Sequence, residues 1–192
     1  MSTHDAATGE LWVIRHGETE WSRDGLHTSH SELDLTPEGE EVARRLAERL
    51  EGVEFDLVLS SPRVRARRTA ELAGFTDVHL EDDLTEWDYG DYEGLTTPKI
   101  REWSPGWTVW SHPCPGGETA EEVSRRLDGV VAKVRAHGGR VLVFSHGHAS
   151  RALAARWLGQ PVQEGRLFKL DTATISVLAY ERESPAVARW NS

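Results

Sequence analysis

The chain has one cysteine, Cys114, among 192 residues. No intrachain disulfide and no cysteine metal cluster can form, and a reduced, cytoplasmic setting is expected. No apolar run approaches the ~20 residues that a membrane helix needs. Residues Met1 to Glu10 are polar and acidic. They lack the apolar core of a secretory signal and are expected to form a flexible N-terminus. A positive charge balance is missing as well. The formal charge is −10, which argues against nucleic acid or an anionic membrane as a partner. It leaves an anionic small molecule open, because local field matters more than the sum. The nine histidines show no His-Glu-x-x-His or comparable spacing, so neither a metal nor another cofactor is expected. Repeats and low-complexity stretches are absent too.

The remainder is ordinary for a globular protein, and the length suits a single domain over residues 1–192, as a monomer or homodimer. Leu11 to Ile14 is a short apolar run and predicts a buried strand. Thr36-Pro37 predicts a helix start, followed by apolar residues at helical spacing (Val42, Ala43, Leu46, Ala47, Leu50) and a stop at Gly52. Phe55 to Ser60 predicts a second strand. Ser61-Pro62 predicts another helix start by the same capping logic, with the helix running to about Gly74. Val78 to Leu80 is a weaker strand.

From Asp82 to Gly117 periodicity is poor, and an excursion over one face is expected, with a short helix near Lys99 to Trp103. Val123, Leu127, Val130, Val131 and Val134 make one apolar helical stripe, ended by Gly138-Gly139. Val141 to Phe144 predicts a strand, Ala149 to Leu158 a helix and Ile175 to Tyr180 a strand. Val187 to Trp190 would pair with that last strand across a turn at Ser184-Pro185. Alternating strands and helices predict an α/β fold with a mainly parallel, helix-covered sheet. Such sheets bind ligands at the carboxyl ends of their strands.

Histidine-glycine follows a predicted strand twice, in Arg15-His16-Gly17-Glu18-Thr19 and in Ser145-His146-Gly147-His148. The glycine lets backbone approach a ligand closely. Ser60-Ser61-Pro62-Arg63-Val64-Arg65 opens a helix after another strand. Helix N-termini and arginine forks both suit phosphate oxygens. Of the arginines at 63, 65, 67 and 68, three are expected on a solvated helix face. Glu86 and Glu93 sit in the aromatic segment Glu86-Trp87-Asp88-Tyr89-Gly90-Asp91-Tyr92-Glu93-Gly94. Partial desolvation of a carboxylate there would suit a general acid.

Together these residues resemble the histidine phosphatase superfamily in its phosphoglycerate-mutase-like branch, with Arg15-His16-Gly17-Glu18-Thr19-Glu20-Trp21 as the signature. The resemblance covers about residues 10 to 180, and four separated segments match in order. It implies a three-layer α/β/α sandwich with a mainly parallel central sheet, and an active-site excursion at residues 82–117. It implies His16 as the phosphorylated nucleophile. Arg15 and Arg65 would hold phosphate oxygens, His146 would bind the transferring group and Glu86 would act as acid and then base. Gly147 would lie close by. Ser22 stands where many members have asparagine, and Ser29 where glycine is usual. Ser22 and Thr28 carry over as phosphate neighbours.

The segment from Glu86 to Gly94, together with Trp107, Trp110, Cys114, Gly117-Glu118-Thr119 and His146-Gly147-His148, is similar to two groups. These are the small bacterial acid phosphatases and the fungal-type sedoheptulose-1,7-bisphosphatases. The resemblance therefore implies a metal-independent phosphomonoester hydrolase acting on small phosphorylated metabolites, with sugar phosphates or bisphosphates leading. The alternatives are a mutase that returns the phosphate to product, a non-catalytic phosphate-binding module and a metallohydrolase.

Trp12 and Trp157 are expected in the core. Trp103, Trp107 or Trp110 could contact substrate, and Lys99 and Arg101 would lie near the mouth. Glu18 and Glu118 are expected to be structural. His148 is expected to pack behind the site, and His4, His79, His112 and His137 to be exposed bystanders.

Overall fold

The computed structural model describes residues 9–192; the expectations for residues 1–8, His4 among them, lie outside the described residues. Twelve regular elements follow in order: β1 (Glu10–Arg15), α1 (Glu20–Asp24), α2 (Pro37–Arg49), β2 (Leu57–Ser60), α3 (Val64–Leu72), β3 (His79–Leu80), α4 (Thr97–Ile100), α5 (Ala120–His137), β4 (Arg140–Ser145), α6 (Gly147–Trp157), β5 (Ile175–Glu181) and β6 (Ser184–Arg189). One sheet runs β3-β2-β4-β1-β5-β6. The β3–β2, β2–β4 and β4–β1 pairs are parallel, while β5 and β6 are antiparallel additions.

The sheet alternates sides residue by residue, and each side has its own core. Leu11, Val13, Val141 and Val143 face α5 and α6, where the stripe from Val123 to Val134 meets Leu153 and Trp157. Trp12, Ile14, Leu142 and Phe144 face α2 and α3, where they meet Leu46, Ala66 and Ala70. This is the expected three-layer α/β/α sandwich. Each fully buried Leu, Ile or Val on either side contributes roughly 1.5–3 kcal/mol from removal of its surface from water.

Several boundaries differ from the sequence reading. Ser61-Pro62 does not start α3: its N-cap is Arg63, with no side-chain cap of its own. The Glu32 carboxylate instead accepts from Val64 N at 3.0 Å, a long-range cap that local sequence does not reveal. The short helix falls at Thr97–Ile100, capped by Thr96, because Pro98 suits a first turn. The last hairpin turns at Arg182, which has φ of 57°, so Ser184-Pro185 begins β6 rather than making the turn. A 3₁₀ helix at Val162–Leu167, and α1 itself, were not anticipated.

The excursion is not a loose lid. Leu84, Trp87, Tyr89, Ile100, Trp107 and Val109 all belong to the core on the α5 and α6 side. It also joins the segment after α1 by main-chain bonds: His27 N donates to Leu95 O at 2.9 Å, and Gly94 N donates to His27 O at 2.8 Å. Gly39, in the first turn of α2, lets that helix cross the chain after β1, since a Cβ there would collide with the Glu18 carbonyl.

Candidate active site

β1 and β4 are parallel neighbours, and their register ends with Arg15 opposite Ser145. The next residue on each strand is a histidine. The rings of His16 and His146 therefore come together, with centroids 5.3 Å apart and planes at 62°. Both side chains are buried. The loop after His16 is held by Gly17 N, which donates to Thr69 Oγ1 on α3 at 2.9 Å.

His16 Nδ1 lies 2.7 Å from the Gly17 carbonyl oxygen. A carbonyl can only accept, so Nδ1 carries the proton and the Nε2 lone pair is left free. Burial, followed by the charges of Arg65 and Arg15, holds this imidazole well below its ordinary pKa. It is a neutral base near pH 7.

His146 is arranged differently. Arg65 Nε donates to its Nδ1 at 3.2 Å, so Nε2 carries the hydrogen and donates to Ser61 Oγ at 2.8 Å. Burial, then Arg65, lowers its pKa well below the ordinary value too.

Arg65 is fully buried on the first turn of α3. Besides His146, its guanidinium donates to the carbonyls of Ser31, Thr28 and Ser29 at 3.0 to 3.2 Å. Four of its five N–H groups are used, and one remains. Arg15 donates through Nη1 to Leu170 O at 2.7 Å, and its buried Nε has no partner. A Cβ on Gly147 would lie 3.3 Å from the Arg15 guanidinium, so only glycine leaves that face of the arginine open.

Glu86 is buried against the start of α6. Its Oε1 accepts from Trp87 N at 2.9 Å and Ala149 N at 2.7 Å, and its Oε2 from His148 N at 3.0 Å. Oε1 has used both lone pairs, and Oε2 keeps one. Glu93 does separate work. It accepts from Ser29 N, Ser29 Oγ and Ser31 N at 2.6 to 3.0 Å. Burial opposes its ionisation, but the bonds from Ser29 and Ser31 outweigh it and hold the carboxyl below its ordinary pKa. Glu93 thereby fixes the loop whose carbonyls receive Arg65.

A pocket of about 170 Å³ opens onto these groups. Of the residues singled out from sequence, Arg15, His16, Ser22, Thr28, Glu86 and Gly147 line it, and Arg65 and His146 do not. Arg65 keeps one N–H without a protein partner, whereas both ring nitrogens of His146 have one, Arg65 on one side and Ser61 on the other. Ser22 Oγ is already engaged in the capping box of α1, where it accepts from Thr19 N at 2.9 Å. Thr28 Oγ1 donates to Leu26 O at 3.1 Å.

His27, Tyr89 and Arg151 also line the pocket and were not anticipated, and His148 lines it too rather than packing behind the site as expected. The spacing of Arg151 four residues after Gly147 was the available signal, since those positions share a helix face. Tyr89 Oη lies 2.6 Å from His148 Nδ1. Burial lowers His27 to about 4 and lowers His148 well below its ordinary value. No excursion tryptophan lines the pocket. Trp107 and Trp110 pack behind it, on His27 and His148, while Trp103 is exposed. Lys99 pairs with Glu102 and Arg101 donates to Trp107 O, and neither lines the pocket. Glu18 and Glu118 accept from Thr36 and Arg126 as structural groups.

Residues 11–192 match the family model of the histidine phosphatase superfamily, branch 1. An acid phosphatase of Mycobacterium tuberculosis is 46% identical over 175 residues, 89% of this chain and 86% of that protein. A sedoheptulose 1,7-bisphosphatase of Saccharomyces cerevisiae is 37% identical over 79% of this chain and 68% of its own length. The solved structure of a Mycobacterium tuberculosis open reading frame superposes with a TM-score of 0.90 at 42% identity, covering 95% of this chain and 97% of that one.

Proposed function

The chain belongs to the histidine phosphatase superfamily and is a phosphatase, and from that premise we propose that it cleaves small phosphomonoesters through a covalent phosphohistidine at His16. The observation that carries this reading is the Nδ1–H···O=C bond from His16 to Gly17, made by a buried, neutral imidazole. It aims the free Nε2 lone pair as a nucleophile, in a pocket whose wall includes Arg15 and Glu86.

Nε2 of His16 forms a bond to phosphorus as the ester P–O bond breaks, and the leaving oxygen takes a proton from Glu86. Water then attacks phosphorus, the N–P bond breaks, and Glu86 takes the water proton. Oε2 is the oxygen for both transfers, being the one with a lone pair to spare. Arg15 and the spare N–H of Arg65 stabilise charge on the phosphoryl oxygens, which is where such transfers concentrate it. Arg65 also positions His146 beside the nucleophile.

The pocket size and the names borne by the relatives support phosphorylated metabolites as substrates, with sugar phosphates or bisphosphates first. The single buried cysteine fits a cytoplasmic setting. Among the described residues no helix is long and apolar enough to cross a membrane.

Brief exposure to a radiolabelled phosphomonoester should leave acid-labile phosphate on the wild type and none on His16→Ala. Substantial turnover by His16→Ala overturns the mechanism. Release of an isomer rather than free phosphate would mark a mutase.

A further inference from the structure

Glu86 is tethered twice. Its carboxylate is held by Trp87 N, His148 N and Ala149 N. Its backbone is held by one arginine, Arg126, on the second turn of α5. Nη1 of Arg126 donates to Asp83 O at 2.7 Å and to Thr85 O at 2.9 Å, and Nη2 donates to Glu86 O at 3.3 Å. Nε and Nη2 donate to the two carboxylate oxygens of Glu118 at 2.7 and 2.9 Å. All five N–H groups of the guanidinium are used in this way.

Glu118 closes the clamp from the other end of the segment. Its Oε2 also accepts from Asp88 N at 2.9 Å, and its carbonyl oxygen accepts from the Trp87 indole at 3.0 Å. Its own N–H donates to Asp88 O at 3.0 Å. Gly117 permits this approach, since a Cβ there would stand 2.3 Å from Asp88 O. The residues on both sides of Glu86 are thereby fixed to a single ion pair, whose side chains are only 12% and 22% exposed. Neither member lines the pocket onto which His16 opens. Glu118 lies instead on a separate cavity of about 220 Å³, which Glu86 also borders.

The two tethers respond differently to the reaction. The N–H bonds to the carboxylate are charge-assisted, roughly twice as strong as neutral ones, and they weaken whenever Glu86 carries the proton. Backbone carbonyls do not titrate, so the bonds from Arg126 keep their strength throughout the cycle. A group that alternates between acid and base needs a tether of this second kind.

We propose that Arg126, with Glu118 as its counter-ion, is a positioning residue for Glu86, keeping its carboxyl group aimed at the leaving oxygen in both protonation states. The proposal rests on the role of Glu86 in the hydrolase reading above. It adds a pair of residues that serve the proton transfer without touching the substrate.

The test compares single-turnover bursts on phenyl phosphate, whose leaving group needs a proton, and on p-nitrophenyl phosphate, whose leaving group does not. Misplacement of a reacting group costs on the order of 10²-fold. Arg126→Met should therefore slow the burst on phenyl phosphate roughly 10- to 100-fold, and that on p-nitrophenyl phosphate by less than about threefold. In a Glu86→Gln background Arg126→Met should add less than about threefold on either ester, because residues that act through one group are not additive. Arg126→Lys keeps the charge beside Glu118 but has three donors for the five. It should show the same selectivity at smaller size, and it carries the test where Arg126→Met does not fold. An unchanged burst, equal losses on the two esters, or full additivity with Glu86→Gln overturns the positioning role. If Glu86→Gln itself slows both esters alike, the assignment of the acid falls and the proposal with it. Wild type that releases phosphate from neither ester overturns the hydrolase reading itself.

Discussion

The ends of β1 and β4 carry the same dipeptide, histidine then glycine, on neighbouring parallel strands, yet the two histidines are held in opposite ways. At the end of β1 one ring nitrogen of His16 is tied to the adjacent carbonyl, and the other is free. At the end of β4 both nitrogens of His146 are tied, to Arg65 and to Ser61. Each ring is buried, and burial leads the causes that keep both uncharged. Hydrogen bonding, not burial or charge, separates a proposed nucleophile from a proposed positioning group.

That contrast can be broken. If it is right, His16→Ala loses all turnover and His146→Ala keeps a trace of it. Misplacement of the reacting groups costs on the order of 10²-fold, and phosphoenzyme should still form slowly in His146→Ala. Equal and complete loss in both, with no phosphoenzyme in either, would erase the distinction.

The two carboxylates of the aromatic segment sharpen it further. Glu86→Gln should slow release of a sugar alcohol by about 10²–10⁴-fold. In a single-turnover burst it should affect p-nitrophenyl phosphate much less, because that leaving group needs no proton. Glu93→Gln removes a loop clamp, and so should cost both leaving groups alike, roughly three- to tenfold. A leaving-group-selective effect at Glu93 would exchange the two assignments.

Stability should record the uncharged rings. His16, His27, His146 and His148 all have folded values below those of the unfolded chain, with burial the leading cause. Below the unfolded value of about 6.5, the unfolded state therefore binds more protons, and stability falls as pH falls. Each excluded proton contributes about 1.4 kcal/mol per pH unit through that window. For His27 the window runs down to about 4. The urea midpoint should drop between pH 7 and pH 5, and an unchanged midpoint would mean that these histidines are charged in the native state. The smallest effect is the one expected from chelators. Dialysis against EDTA should leave the rate unaltered while vanadate inhibits; a chelator-sensitive rate restored by Zn²⁺ or Mg²⁺ would remove the contrast between the histidines as the basis of catalysis.

Much of this was legible in the sequence because it is local. A strand followed by His-Gly is visible in a handful of residues, and so is the Thr36 cap of α2. The alternation of Leu11, Trp12, Val13 and Ile14 between two cores was not needed to find the strand, only to orient it. What stayed hidden depends on distant partners. The start of α3 is set by Glu32, 32 residues before Val64. The orientation of Arg65 is set by carbonyls of residues 28, 29 and 31. His27 and Tyr89 meet His148 and Arg151 only after the excursion has packed, so no window of sequence shows all four as neighbours. The tryptophans of residues 82–117 were a misleading cue, since Trp107 and Trp110 build the support of the pocket while Tyr89 stands in its wall.

The seam between the α1 exit and the excursion has a consequence for how such a pocket can be altered. It consists of backbone bonds, His27 N to Leu95 O and Gly94 N to His27 O, with a bridge between Leu26 and Thr96. Main-chain bonds are indifferent to side-chain identity. Substitutions at His27 and Thr28 can therefore change what the rim recognises while its outline is retained. The rim behaves as a fixed frame with exchangeable panes, and selectivity can be redesigned there one side chain at a time without rebuilding the loop.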